Sequence, residues 1–347
     1  MVRRFLFGSL ALAPAAIAVH YLADIPETAE FVVSALALIP LAWLIGEATE
    51  HAAEHTGPGV GGFLNATFGN APELIIALIA VHQGLTEVVR GSLTGSVVSN
   101  LLLVLGASLV AGGVGKLDRY SSFLSFGLIL FATALFLIPS IPGWEGDPDR
   151  HALAVLSLPV SGALLVVYLG VTWYSLRRHR LLHVASDEEI EAWSLRAAVA
   201  ALALATVTTA LVAEILVGSL EAFAEKAGLT EFFVAAVIVA IVGNAAEHGG
   251  AIVVAFRGKI PLAAEIALAS AAQVAVFLIP TIALLSWLID PLALSLRVVE
   301  LGALAGAVAY TALVLFDGRS SRVRGGLLLA GYAVVVLAFF FAGERPH

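Results

Sequence analysis

The sequence predicts an all-α polytopic membrane protein of about eleven transmembrane helices: a first helix followed by two inverted five-helix repeats. Three observations predict this class. The 347-residue chain is 60% hydrophobic and only 13% charged, where soluble domains run roughly 45–50% apolar and about 25% charged. Apolar windows of about twenty residues, the length that crosses a bilayer, recur throughout. One short motif with a carboxylate at its end occurs in two of those windows, beginning at Gly69 and again at Gly243.

The windows cover residues 5–22, 29–49, 61–82, 87–111, 122–139, 151–173, 196–220, 232–256, 260–289, 292–316 and 325–341. Arg3 and Arg4 ahead of the first resemble a signal peptide, with small residues at Ala16 and Ala18. The apolar run reaches Leu22, however, so a retained first helix is expected over residues 1–25. The first repeat region (helices two to five) then takes residues 26–140 and the sixth helix 141–176. An acidic cytoplasmic linker takes 177–195, and the second repeat (helices seven to eleven) takes 196–347. The ninth window is overlong, and Pro261 or Pro280 is expected to mark an end or a kink.

The net charge is −8 and there is no cysteine, which excludes disulfides, thiolate metal sites and cysteine nucleophiles. No long basic run suggests a nucleic-acid partner. With the N-terminus inside, the outer segments hold only Arg90, Arg150, Lys226, Arg297 and Arg345, and every other Lys and Arg falls inside. The positive-inside rule therefore predicts a cytoplasmic N-terminus, in the cell (inner) membrane. In the linker, Ser186 and Glu189 form a capping box that predicts a short acidic helix over 187–191.

The two motifs lie in the third and eighth windows, an odd offset of five, so the copies cross the membrane in opposite directions. That is the inverted repeat in which secondary transporters place a substrate site near the midplane. The copies read Gly69-Asn70-Ala71-Pro72-Glu73 and Gly243-Asn244-Ala245-Ala246-Glu247-His248. A charge at that depth costs roughly 2.5–3.5 kcal/mol on insertion scales, which makes each glutamate a functional-site candidate. The likeness extends further. Ser96 and Ser99 stand at the offset from Glu73 that Ser270 and Gln273 keep from Glu247, and Glu50 and Glu54 align with Glu221 and Glu225.

Together these residues form an all-oxygen set: Glu73 and Glu247, with Asn70, Asn244, Ser96, Ser99, Ser270 and Gln273 around them. Pro72 lacks an amide hydrogen and is expected to free the carbonyl of Phe68, and Gly69 and Gly243 to loosen the helices further. Hard cations such as Ca²⁺ want six to eight oxygens, and soft metals want sulfur that is absent here. Two neighbouring buried anions are costly when the site is empty, so protons should take the place of the cation. A site holding either a cation or protons is the core of an antiporter. Glu50 and Glu54 are expected at one mouth of the pathway and Glu221 and Glu225 at the other.

His51-Ala52-Ala53-Glu54-His55 also matches the H-x-x-E-H pattern of some zinc proteases. Glu54 already has a repeat mate in Glu225, which has no histidines beside it, so the pathway mouth is the favoured reading.

The two motifs, with Gly95-Ser96-Val97-Val98-Ser99-Asn100-Leu101-Leu102-Leu103, resemble the alpha-repeats of the cation/proton exchanger family of the calcium/cation antiporter superfamily. The resemblance runs from the second helix to the eleventh, with the acidic linker in place. The Asn-Ala-Ala-Glu-His run is specific, because sodium-coupled relatives carry Thr-Ser in place of Asn-Ala. Pro72 departs from the family, which usually has Thr there, and agrees with the sodium-coupled relatives. The resemblance implies eleven helices, export of cytosolic Ca²⁺ in exchange for protons, and Glu73 and Glu247 as central ligands; Gly69 and Gly243 are expected to join them in binding the metal, with His248 beside them. It implies no enzyme activity and no cofactor beyond the transported ions, with Ca²⁺, protons and the lipid bilayer as partners and no nucleic acid. A sodium-coupled exchanger is the alternative, followed by a cation channel and an intramembrane zinc protease.

Overall fold

The computed structural model describes residues 2–23, 25–56, 64, 67–180, 193–343 and 345. The chain runs through α1 (Val2–Ser9), α2 (Leu12–Leu22), α3 (Glu27–Glu54), α4 (Ala71–His82), α5 (Thr86–Gly112), α6 (Arg119–Trp144) and α7 (His151–Arg180). It continues through α8 (Leu195–Gly218), α9 (Leu220–Ala227), α10 (Glu231–Gly243), α11 (Ala245–Phe256), α12 (Ile260–Leu288), α13 (Val298–Val314) and α14 (Arg322–Phe341). Each of the eleven apolar windows contains helix. Among the described residues seven helices are long and apolar enough to cross a membrane, and α9 with α10, bent by 108°, forms an eighth candidate as a broken pair. Val166, Leu204, Val207, Leu313 and Val334 are each more than half exposed, as an apolar surface facing lipid should be. The protein is an integral, multi-pass membrane protein.

The boundaries depart from the windows in instructive places. The eighth window is two helices, α10 and α11, separated at Asn244. The seventh ends at Gly218, and Ser219 starts the separate helix α9. The tenth opens with an extended segment over 291–297 before α13 begins at Val298. The ninth is a single stretch of helix, α12, with Pro261 in its first turn and a π-helical turn, Val274–Leu278, ahead of Pro280. The capping box at Ser186 and Glu189 lies outside the described residues.

Backbone features recur between the halves. α5 carries a π-helical turn over Ser99–Val104, and α12 carries one at the matching place. Loops also pair off. On one face β1 (Gly115–Lys116) lies antiparallel to β2 (Arg319–Ser320), with Gly115 opposite Ser320. On the other, the extended 291–297 segment is bound to α6 and α7. The Leu294 N–H donates to Ser157 Oγ at 2.9 Å and the Leu296 N–H to Ser140 Oγ at 2.9 Å, while Trp144 Nε1 donates to Leu296 O at 3.0 Å.

At the centre α5 crosses α10 on small residues. A Cβ on Gly91 would touch Phe232, and one on Gly95 would overlap the Ala236 carbonyl. This close approach, of the kind small residues permit in membranes, brings the two halves together beside the motifs. α3 packs along α8, with Ile45 and Ala48 against Leu202 and Ala205.

One feature had no counterpart in the sequence reading. Arg90, counted there as an outer-segment charge, is 1% exposed and donates to Asp149 Oδ1 at 2.7 Å, Glu87 Oε1 at 2.7 Å and Ala293 O at 3.1 Å. Arg297 ion-pairs with Glu300 at 3.4 Å and lies 3.7 Å from the Phe232 ring centroid, and Arg345 reaches Glu87 Oε1 at 3.2 Å. Burial would raise the Asp149 carboxyl, but hydrogen bonding and charge from Arg90 outweigh it and hold the group below the usual carboxylate range. A buried charge network of this kind is costly to break from one side. It binds the start of α5, the 145–149 loop, the 291–297 segment and the chain's end into one cap.

Gly95→Ala should destabilise the protein by ~1–3 kcal/mol, the usual cost of overpacking, because its new methyl meets backbone. Gly46→Ala, where nothing lies within 4 Å of the added carbon, should be neutral or stabilising by up to ~1 kcal/mol. Thermal unfolding in detergent measures both, and equal melting temperatures would contradict the close crossing.

Candidate functional site

Two helices begin in the middle of the molecule. α4 starts at Ala71 after Asn70 (φ −96°, ψ 13°), and α11 starts at Ala245 after Asn244 (φ −92°, ψ 8°). In each, the asparagine carbonyl accepts the N–H four residues on, from Leu74 at 3.0 Å and from His248 at 2.9 Å. Ala246 holds the place of Pro72 in a break of the same geometry, so the break does not require a proline. What the two breaks share is an asparagine whose side chain reaches across the bundle. Asn70 Nδ2 donates to Gln273 Oε1 at 3.4 Å, and Asn244 Nδ2 donates to Ser96 Oγ at 2.8 Å and to Ala240 O at 2.9 Å.

Glu73 and Glu247 stand in the first turns of these helices, where the positive end of the helix dipole favours a carboxylate. Glu73 is 7% exposed, and its side chain lies over Gly243 of the other copy: a Cβ there would come within 3.2 Å of Glu73 Cγ. Its Oε2 is buried with no hydrogen-bond partner. Glu247 is half-buried and accepts a short hydrogen bond from Ser270 Oγ at Oε2. The two carboxylates are near enough for their charges to interact. A small cavity of about 10 Å³, lined by Glu73, Ser92, Ser96 and Ala240 among others, adjoins Glu73; that is about the space of one water.

The expected residues around the pair take distinct parts. Ser96 and Gln273 bond across the halves as described, and Ser270 holds Glu247 within its own half. Ser99 turns back to the Ser96 carbonyl at 3.2 Å. His248 is 7% exposed with Nε2 unpartnered, and Gly69 is half-buried beside the first break. Asn100, absent from the expected set, is fully buried and donates to Asn244 Oδ1 at 3.3 Å and to Ser270 Oγ at 3.1 Å. It joins the second break to the serine that holds Glu247. An amide inside an apolar helix was the signal for it, but a search for matched pairs passes over it because its repeat mate is Val274.

Glu50, Glu54, Glu221 and Glu225 are exposed and stay away from this centre. Phe31 near the start of α3 stacks on Phe223 of α9 at 4.3 Å. Glu221 and Glu225 are thus at one end of α3, and Glu50 and Glu54 are at the other. The histidines of the H-x-x-E-H run do not converge. His51 stacks on Trp193 at 4.8 Å between Glu47 and Glu54, while His55 Nε2 meets the Trp193 carbonyl at 2.7 Å. Among the described residues no three His, Asp or Glu side chains are grouped to hold a metal ion. A cation at the centre would draw on the two carboxylates and on neutral oxygens: Ser96, Ser270, the amides, and carbonyls at the two breaks.

Comparison with known proteins places the chain. The family model for the sodium/calcium exchanger protein matches residues 27–177 and 197–341. A Ca²⁺/H⁺ antiporter of Aphanothece halophytica is 35% identical over 98% of this chain and 97% of its own length. Vacuolar cation/proton exchanger 1a of Oryza sativa subsp. japonica is 39% identical over 91% of this chain and 75% of its own length. The solved structure of native YfkE superposes with a TM-score of 0.83 at 33% identity, covering 97% of this chain and 99% of that one. With a helix starting in mid-bundle and a glutamate in its first turn in each half, this chain belongs to the sodium/calcium exchanger protein family, and within it to the cation/proton exchangers, which are transporters and not enzymes.

Proposed function

We propose that the protein is a secondary transporter that exchanges cytosolic Ca²⁺ for protons, by alternating access at a site built from Glu73 and Glu247. The observation that carries this reading is the placement of Glu73, with an unpartnered carboxylate oxygen, against Gly243 in the break that presents Glu247. Relatives named as Ca²⁺/H⁺ antiporters along nearly the full length support it.

With both carboxylates ionised, a divalent cation neutralises the pair, and serine, amide and freed carbonyl oxygens replace part of its water shell. When the cation leaves, two buried anions side by side cost too much to persist, and protons bind in its place. The empty, fully ionised state is the least favourable, so a switch between the two faces without cargo is disfavoured, and that couples the fluxes. The α5–α10 crossing at Gly91 and Gly95 shuts the side that carries Arg90. Glu247 retains accessible surface while Glu73 has almost none, which suits a site closed on one side at a time. Lys116, Arg119, Arg257, Lys259, Arg319 and Arg322 belong to the opposite face, where Gly112 meets Ile260 and Gly115 meets Ser320. That face is the cytoplasmic one on the positive-inside rule. Pro72 is no separate argument for sodium coupling, since the break around it recurs with Ala246.

Glu73→Gln and Glu247→Gln should each abolish exchange while the protein still inserts and folds, because the amide keeps the shape and loses the charge. Near wild-type transport by either variant would sink the central site. Neutralising Glu50 or Glu221 should mainly slow transport or change its apparent affinity, since at an exposed mouth salt screens each charge. Equilibrium Ca²⁺ binding lost as fully as in Glu73→Gln would mean that the site is elsewhere.

Ca²⁺ binding should release protons. As pH falls, protons occupy the pair and binding weakens, by up to about a hundredfold per pH unit at the limit of two displaced protons. Calorimetry in buffers of different ionisation enthalpy counts them, and the pair titrates as a unit. A proton count near zero from about pH 5 to about pH 9 would separate proton and cation sites and favour sodium coupling.

A further inference from the structure

Above the closed α5–α10 crossing lies a cavity of about 350 Å³ between the two halves, lined by Thr86, Glu87, Asp149, Thr230, Glu231 and Arg345 among others. Arg345, near the end of the chain, is held there. Its Nη1 donates to Glu87 Oε1 at 3.2 Å and to Ser295 O at 2.8 Å, and its Nη2 donates to Ser295 Oγ at 3.2 Å and Gly143 O at 3.5 Å. The side chain is 9% exposed. Glu87 is in the first turn of α5, the helix that lower down carries Gly91, Gly95 and the site residues Ser96 and Asn100. Ser295 belongs to the extended segment tied to α6 and α7, and Gly143 to the last turn of α6. One guanidinium therefore fastens the start of a site helix to the surrounding frame. The neighbouring contact of Arg297 over Phe232 does the same for the start of α10.

We propose that Arg345 is a latch that stabilises the state closed on the Arg90 face, and that this face opens when Arg345 releases Glu87. For α5 and α10 to part at Gly91 and Gly95, the start of α5 has to move relative to Ser295 and Gly143, and Arg345 bridges that gap. A charge-assisted bond of this kind counts for more than a neutral one. The cavity below the cap gives the moving helix ends room. The latch rests on the alternating-access reading, but it is tested without transport. Failure of the exchange reading would show as transport surviving in Glu73→Gln, whereas the latch stands or falls on accessibility.

The natural absence of cysteine gives a clean background for that test. Ser92 is 8% exposed, lies on α5 between Gly91 and Gly95, and lines the small cavity beside Glu73. Ser92→Cys is reconstituted in vesicles and labelled with a membrane-impermeant maleimide from each side in turn, with and without Arg345→Ala. Thr209→Cys in α8, a fully buried position, serves as the reference. Removing the latch should speed labelling at position 92 from the Arg90 side by about tenfold or more, the weight of one lost hydrogen bond to a charged group in an opening equilibrium. Labelling at position 209 should not change, and Arg345→Lys, which keeps the charge and loses the fork, should fall between. An unchanged rate at position 92 in a folded double variant would overturn the latch. So would equal acceleration at positions 92 and 209, which is general loosening.

Discussion

A carboxylate among apolar helices has to be given a reason to stay, and the centre of this molecule is arranged around two of them. Each is in the first turn of a helix that begins in mid-bundle, so each meets the positive end of a helix dipole. Each helix begins there because an asparagine leaves the helical path and commits its side chain to the opposite half. Asn244 holds Ser96, Asn70 holds Gln273, and Asn100 closes the circuit through Ser270 to Glu247. The breaks, the glycine crossing and the small residues beneath Glu73 all serve that one arrangement. Filling any of them with a larger side chain would separate the halves that share the site.

The two faces are held in different ways. On the face with Lys116 and Arg319, a two-residue sheet joins β1 and β2 through backbone bonds. On the Arg90 face charged side chains, Arg90 to Asp149, Arg297 to Glu300 and Arg345 to Glu87, add to the hydrogen bonds that hold the 291–297 segment to Ser140 and Ser157. A buried ionic cap resists loss of one partner but can be exchanged for water as a unit, which suits the opening that the proposed exchange cycle asks of this face. This arrangement also takes three of the five basic residues of the outer segments into ion pairs.

Much of the fold was legible because it depends on composition and periodicity: all eleven windows contain helix, and the repeated motif located the two breaks. The part that Asn70 and Asn244 play in the breaks was not legible, since proline and glycine are visible helix-breakers in a sequence and an asparagine acts through partners remote in the chain. The eighth window looked continuous for the same reason: nothing local to residues 232–256 stops a helix at Asn244. Arg90 was read as a loop charge because its partner Asp149 is in another loop, and pairings across loops leave no periodic trace. Asn100 was missed because repetition was the search tool and Val274 is its mate. That the glutamates at the helix ends lie away from the centre and exposed was legible, since exposure there follows from position alone.

The central claim is that cation and protons compete for one pair of carboxylates. The most direct test is Ca²⁺ uptake into sodium-free proteoliposomes with an imposed pH gradient, acidic inside. The account predicts uptake against the Ca²⁺ gradient that reverses when the pH gradient is reversed and is absent in Glu73→Gln. Uptake that ignores the pH gradient and appears only when sodium is loaded inside would contradict it.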